Sequence, residues 1–584
     1  MDTVGYHIVN LIIHIINALL VYWFVVLTFK TSYFLKITQS PHPPFTKGGQ
    51  GGINLIALFS ALLFVSHPIQ TQAVTYLVQR FTSLATFFYL LSPVMYINWR
   101  LRIQNSELGE QRIEKKQNIF NLKSGFWYLA SLFFTILAMM TKEISFTLPI
   151  VTTFYEFMFF DGKTKKKILF LIPLLLTMLI IPLNMIGIDK PIGDVIGELR
   201  EATQETEEIQ RWSYLFTQFR VIVTYIRLLF LPINQNLDYD YPVFHSFFDS
   251  KVFLSFLFLL LILGLGIYLL YRSHLKVQKF KGSNNQYSTF KPSTLKLISF
   301  GILWFFITLS VESSIIPIRD VIFEHRLYLP SVGIIVAFGT AVFYAFDYRK
   351  IKNVTRILPV IIIVLLSIST FTRNLTWKDG ITLWEDVVKK SPLKGRPHYN
   401  LGLVYKEHNR YEDAIKEFQT AIKLNPNITD SYSSLGVVYA IQNRYEDAIK
   451  EFQTAIKLNP GSAAAHNNIG VVYKKQGLYE SAIKEYQIAM NLNPYFADPY
   501  NNIGVIYEIQ GRYEDALKAY RTAIKFKPEN AVLHNNIGIV YLKYGLHEDA
   551  IREFQIAIKL RPDYTDALYN LSTIYKKQRH FNSK

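Results

Sequence analysis

About eleven apolar runs, following one another from Gly5 to about Thr372, constrain this chain more than any other feature. They fall at 5–29, 53–66, 81–98, 125–141, 144–160, 168–188, 213–232, 252–271, 296–312, 328–346 and 357–373. A bilayer core takes roughly 20 predominantly apolar residues per helix, so the pattern is that of a polytopic membrane protein. The second run is short and ends at His67-Pro68. No basic stretch precedes the first run near Tyr6, which reads as a retained span and not as a cleaved signal.

Where the charges sit decides the next question. The formal net charge is +18, which in a soluble chain would point to nucleic acid. Here Lys and Arg collect in the short loops 99–123 (Arg100, Arg102, Arg112, Lys115, Lys116, Lys123), 163–167, 272–296 and 349–356. Cytoplasmic loops are enriched in these residues, so all four are assigned to the cytoplasm and no nucleic-acid partner is expected. The acidic stretch 194–211, His67, Lys142-Glu143, Glu324 and everything after Thr372 then fall outside. Counting crossings leaves one run too many between 211 and 272. Because 213–232 carries Arg220 and Arg227, it is expected to lie at the outer interface or to re-enter. The Pro- and Gly-rich segment 37–52 reads as an inserted loop. Cysteine is absent, which excludes disulfides, thiolate metal sites and cysteine nucleophiles.

After Thr372 the pattern changes to a repeat with a period of 34. Gly402, Gly436, Gly470, Gly504 and Gly538 recur at that spacing, with Ser572 in the sixth place. Tyr405 to Tyr575, Ala414 to Ala550 and Pro426 to Pro562 follow at the same interval. This is the helix–turn–helix unit of a tetratricopeptide solenoid. The small residue should let two helices approach, the Tyr should fill the gap between them, and the Pro should end the second helix. Five full repeats are expected from about 395 to 564, with a final helix beyond. Segment 381–392 reads as a degenerate second helix, so the solenoid begins almost at the last span. Two residues before each repeat Gly stand Asn400, Ser434, Asn468, Asn502, Asn536 and Asn570. Such a row could grip a peptide backbone through amide donors and acceptors. It resembles the asparagine ladder of O-linked N-acetylglucosamine transferases, with Ser434 departing from it.

Polar residues inside or beside the spans are the functional candidates, because their burial is costly. His7, Asn10, His14 and Asn17 form one stripe on the first span, a pattern that helix–helix hydrogen bonding also produces. At the outer ends come His67-Pro68, Gln70, Gln72 and Arg80, then Lys142-Glu143 followed by Glu156, then Asp320, Glu324, His325, Arg326 and Tyr328. All are expected at one rim. Cations gathered there suit the phosphate of a lipid-linked donor, and a carboxylate could take a proton from an acceptor hydroxyl. Scattered positional ion pairs would leave a similar pattern.

GYHIVNLIIHIINALL (5–20), ALLFVSHPIQTQAVTYLVQR (61–80), MMTKEISFTLPI (139–150), LPINQNLDYDYP (231–242) and EHRLYLPSVG (324–333), followed by tetratricopeptide repeats, together resemble one family. It is the transmembrane-and-tetratricopeptide O-mannosyltransferase-like proteins of the GT-C glycosyltransferase class. The resemblance covers nearly the whole chain. It implies transfer of a sugar, mannose by preference, from a polyprenyl- or dolichyl-phosphate carrier to Ser/Thr hydroxyls, with the repeats facing the compartment of the active site. Members carry their essential acidic residue in an outer loop between the first and second spans. This chain starts where the family's second span begins, with Asp2 the only carboxylate near that place, so a shortened, inactive form, a misassigned start or a gene fragment is expected.

The expected fold is therefore all-α: a GT-C-like bundle of about 10–11 spans over 1–373, a joint at 374–394, and a tetratricopeptide solenoid over 395–584. Glu143 and Glu324 are the candidate catalytic carboxylates. Arg80, Lys142, His325 and Arg326 are the candidate ligands of the donor phosphate, and Asn400, Asn468, Asn502, Asn536 and Asn570 the candidate peptide contacts. No metal or cofactor is expected. The partners are the lipid-linked sugar, an acceptor protein in the groove and the bilayer (the cytoplasmic membrane, if bacterial), with the solenoid extracytoplasmic. The alternative is a non-catalytic membrane anchor that displays a peptide-binding scaffold.

Overall fold

A computed structural model describes residues 3–34, 49–75, 80–110, 122–186, 209–279, 292–313, 320–348 and 354–582. Asp2, segment 37–48, the acidic stretch as far as residue 208, and parts of three of the four basic loops lie outside the described residues. Every described element is a helix. The chain divides into two compact units, Met1–Lys390 and Ser391–Lys584. The expected joint therefore belongs mostly to the first unit. Its helix Gly380–Lys390 is tied there by Arg373 to Asp386 at 3.0 Å and by Lys390 to the Gln235 carbonyl at 2.7 Å.

In the first unit, four described helices are long and apolar enough to cross a membrane: Gly5–Thr28, Thr164–Leu183, Ser250–His274 and Ile357–Thr376. A fifth candidate, Ile53–Ser66 with Pro68–Thr75, is bent by 50° at His67-Pro68. The break is local chemistry. Pro68 cannot donate to the preceding turn, and the His67 side chain accepts from the Ile69 N–H to start a 3₁₀ turn. Three shorter apolar helices, Gly125–Thr141, Thr294–Leu309 and Pro330–Ala345, and the helix Arg80–Glu110, which supplies Tyr89, Leu90 and Val94 to the core, also belong to the bundle. Run 144–160 does not form one span. It divides into a 3₁₀ turn, Glu143–Thr147, and the twelve-residue helix Leu148–Phe159. Run 213–232 forms the helix Arg211–Phe230. That helix donates from Tyr214 to the Glu312 carbonyl (3.1 Å), from Gln218 to Val321 (2.9 Å) and from Tyr225 to Phe323 (2.9 Å). These bonds lay it along the loop between helices Pro292–Leu309 and Pro330–Tyr348.

The core is aromatic. Phe24, Tyr155, Phe300 and Trp304 pack with ring centroids 5.4–6.2 Å apart, and Tyr89 meets Trp304 edge-on at 5.6 Å. Helices Pro292–Leu309 and Pro330–Tyr348 cross at Gly301 and Gly333, where a Cβ on either would collide with the other's carbonyl oxygen. Small residues at such crossings let backbones approach. This pair also holds both ends of the loop that carries residues 320–327. Gly301→Ala is expected to destabilise the unit by about 1–3 kcal/mol, because backbone and not a flexible side chain stands in the way. Denaturation of the purified protein in mixed micelles would measure it, and an unchanged midpoint would remove Gly301 from this role.

The second unit is the solenoid, with paired helices from Gly395–Glu407 to His547–Leu560 and a last helix Thr565–Asn582. The period has the expected basis in the small residue. A Cβ on Gly402, Gly436, Gly470, Gly504 or Gly538 would lie 2.6–2.8 Å from the ring of Phe418, Phe452, Tyr486, Tyr520 or Phe554. The Tyr does not fill the gap alone. The rings on the second helices share the gap with the Tyr405 series, which packs into the repeat cores, and three of those tyrosines also lie under turn arginines. Arg410, Arg444 and Arg512 lie 4.1–4.2 Å above Tyr405, Tyr439 and Tyr507.

Candidate functional site

The first helix's polar stripe serves as scaffold for one rim of the membrane unit. Asn10 donates to the Val74 carbonyl at 3.1 Å and Asn17 to that of Ser83 at 3.0 Å. His14 and Asn17 both hold the Tyr328 hydroxyl, at 2.7 and 3.2 Å. His67 donates to the Leu229 carbonyl at 2.9 Å, the tautomer fixed because its Nδ1 accepts from Ile69. Gln70 reaches Ser331 at 3.0 Å, and Gln72 accepts the His325 backbone N–H at 2.9 Å. Segments far apart in sequence are thus bonded around the turn Glu324–Leu327.

The four candidate phosphate ligands differ in what they still offer. Arg80 is exposed and stacks over Tyr6 and Phe81 at 5.6 and 5.1 Å. Arg326 is 3 % exposed and donates to the carbonyls of Val321 (3.3 Å) and Asp320 (3.0 Å), so it braces its own loop. His325 is buried. Burial, and then the nearby Lys142 and Arg326 charges, push its imidazole well below the usual range, so at neutral pH it is a hydrogen-bonding group and not a cation. Lys142 is half-buried and ion-paired. Its ammonium pairs with Glu312 at 2.7 Å and touches Thr82 Oγ1 at 3.2 Å.

The two candidate carboxylates also part company. Glu324 is 1 % exposed and accepts from the Asn236 N–H (2.7 Å), the Tyr239 hydroxyl (2.6 Å) and the Gln235 amide (3.1 Å). Burial raises its carboxyl above the ordinary range, with Arg373 opposing. A carboxylate so occupied organises the 235–239 loop, a positioning part rather than that of a free base. Glu143 is exposed and, among the described residues, has no hydrogen bond or ion pair. Sequence reasoning passed over Glu312. Its signal was there, as the one carboxylate ending the apolar run that leads into this loop.

Glu156 does not join this rim. It lies at the far end of the Leu148–Phe159 helix, held by Arg100 through two bonds of 2.8 and 2.9 Å and by the Tyr96 hydroxyl at 3.2 Å. Arg100 stands 20 residues into a helix that begins at Arg80, roughly 30 Å away at 1.5 Å per residue. The expectation that all these charges meet at one rim is corrected to that extent.

Among the described residues, several buried polar atoms without a hydrogen-bond partner lie at this rim. Gln70 Oε1, Thr71 Oγ1, Ser145 Oγ, Glu312 Oε2, Ser313 Oγ and His325 Nδ1 are all of this kind. Native interiors leave few such atoms, and each asks for an explanation. Beside the rim, a cavity of about 240 Å³ is lined only by apolar side chains, including Leu229, Phe230, Phe305 and Phe338. Among the described residues no group of three His, Asp or Glu is placed to hold a metal ion.

In the solenoid, the asparagine row is partly consumed by the fold. Asn502 donates to Asn467 (3.1 Å), Asn536 to Asn501 (3.0 Å) and Asn570 to Asn535 (3.1 Å), zipping neighbouring first helices together. Lys474 takes the Asn502 carbonyl as well, at 3.0 Å. Asn400 and Asn468 keep their amides clear of such rungs.

A family profile described as TPR repeat matches residues 402–442, 438–477, 473–511 and 509–545. The chain is 22 % identical over 457 residues to the protein O-mannosyl-transferase Tmtc3 of Drosophila melanogaster, covering 71 % of this chain and 45 % of that protein. To the protein O-mannosyl-transferase F38B6.6 of Caenorhabditis elegans it is 24 % identical over 427 residues, covering 70 % of this chain and 49 % of that one. The chain thus spans about half the length of the curated relatives it matches. The crystal structure of MamA is 26 % identical over 28 % of this chain and 95 % of its own, with a TM-score of 0.25. The resemblance carried by the motifs is matched by relatives that bear the O-mannosyltransferase name.

Proposed function

We propose that the chain is an integral membrane glycosyltransferase that moves a sugar, mannose by preference, from a polyprenyl-phosphate carrier to Ser/Thr hydroxyls of protein segments held by the repeats. Its site is the rim on the extracytoplasmic side, with the solenoid in the same compartment. One observation carries the reading. Lys142, the neutral His325 and the buried hydroxyls of Thr71, Ser145 and Ser313, without partners among the described residues, lie at one end of the bundle, and these groups could donate to a phosphate. The apolar cavity beside it has the chemistry to take the first isoprenoid units of the carrier. The names of the relatives support the sugar.

In this reading Lys142 and His325 bind the donor phosphate, and Arg326 and Glu324 hold the 320–327 and 235–239 loops in shape. Among the described residues, Glu143 is the exposed carboxylate nearest Lys142 in sequence, and it accepts the acceptor's proton. Asn400 and Asn468 contact the acceptor backbone through amides not spent on the solenoid. One observation favours a non-catalytic scaffold instead. Both Glu324 and Arg326 are saturated by their own chain. The deciding experiment incubates the full chain in nanodiscs with a radiolabelled mannosyl-phosphoryl-polyprenol and a Ser/Thr-rich peptide. Transfer that depends on Glu143 is expected. Its absence with every peptide and carrier length tried would leave the scaffold.

A further inference from the structure

The pairing of Lys142 with Glu312 places a carboxylate where a phosphate would have to bind. The ammonium–carboxylate distance is 2.7 Å, and the two side chains are 18 % and 11 % exposed. The second carboxylate oxygen, Oε2, is buried and, among the described residues, has no hydrogen-bond partner. Thr82 is the other group on the ammonium, and the buried Arg326 and His325 lie close by. A carboxylate held in this way by one ammonium group can be challenged by a second anion for that group.

We propose that Glu312 is a discriminating counter-ion, set to admit the donor and expel the spent carrier. The inference rests on the reading of the rim as a lipid-phosphate site. A glycosyl-phosphoryl-polyprenol is a phosphodiester with one negative charge. With Lys142 and Arg326 positive and Glu312 negative, its arrival brings the cluster to neutrality. In transfer, the acceptor oxygen bonds to the sugar's anomeric carbon, the carbon–oxygen bond to phosphate breaks, and the hydroxyl proton leaves to a base. The product is a phosphate monoester carrying about −1.5 to −2 charge. Beside Glu312 that species leaves these groups with about half to one excess negative charge. In a water-poor rim, repulsion between like charges a few ångströms apart outweighs one further hydrogen bond. Glu312 thereby weakens the product more than the donor and couples bond cleavage to release.

The test is direct binding, which requires no turnover. The full chain in nanodiscs is titrated with a polyprenyl phosphate and, separately, with its O-methyl phosphodiester. The parent protein is expected to bind the diester at least as tightly as the monoester. Glu312→Gln should tighten the monoester about tenfold or more and the diester by no more than about threefold. Glu312→Asp should restore the parent ratio, and Lys142→Gln should weaken both ligands. If the parent prefers the monoester by tenfold, or if Glu312→Gln leaves the ratio unchanged while Lys142→Gln weakens both, the discrimination idea is wrong and the phosphate site stands. If neither ligand binds parent or variants, the phosphate site itself is wrong. The parent ratio decides the matter even should Glu312→Gln fail to fold.

Discussion

Arg100→Leu is expected to cost the membrane unit about 3–5 kcal/mol, the usual loss when one partner of a buried ion pair is removed. Glu156 is fully buried, and its two oxygens depend on Arg100 for two of their three hydrogen bonds. Without the guanidinium, the Tyr96 hydroxyl remains, while Lys167 reaches only the Glu156 backbone carbonyl at 3.4 Å. The guanidinium also lies over the rings of Phe160 and Phe170, at 4.8 and 5.4 Å, so packing is lost together with charge. Two further variants separate these causes. Arg100→Lys keeps the charge but not the paired fork, and should recover part of the loss. Arg100→Met combined with Glu156→Met replaces the pair by apolar volume and should recover most of it. The readout is the denaturation midpoint in mixed micelles, with hydrogen exchange at residues 148–160. Equal instability of Arg100→Leu and the double variant would assign the effect to packing, and the buried charge would not be its source.

The same pair marks where sequence reasoning stops. The apolar runs and the 34-residue period are legible because each depends on near neighbours: a bilayer's thickness sets one, and the contact of Gly504 with the Tyr520 ring sets the other. Both units follow from them. The side on which Glu156 lies is not legible in that way. Run 144–160 reads as one span, and only the 3₁₀ turn after Lys142 shortens it so that its far end comes to face Arg100. Within the rim, the segments could be named from the sequence, but their bonding could not. Lys142 meets Glu312 across 170 positions, and Glu324 meets the 235–239 loop across about 85–90, pairings set by helix packing and by no local pattern. The asparagine row shows a third limit. Its spacing is visible, but the consumption of the Asn502, Asn536 and Asn570 donors by the neighbouring repeat depends on how the repeats stack. Ser433-Ser434, standing where the later repeats have paired asparagines, interrupts that zip and leaves Asn468 clear.

Lys142→Met should lower sugar transfer by about 10²–10³-fold, the range seen when a preorganised group on a developing anion is lost. The size of the effect follows from what its neighbours cannot supply. Arg326 is spent on two carbonyls, His325 is held neutral, and Arg80 stands in solvent over two rings. On the proposed reading, Lys142 is therefore the charge on which a leaving phosphate would rely. Arg80→Gln, by contrast, should change transfer by less than about fivefold, since an exposed charge is screened by water and salt. Removing Lys142 alone also strands Glu312, so a loss of activity could reflect a loosened rim. Lys142→Met with Glu312→Gln removes both charges and should restore the denaturation midpoint of the parent while transfer stays low. Recovery of transfer in that double variant would show that Lys142 serves only to neutralise Glu312, and the phosphate contact would have to be sought at Arg326.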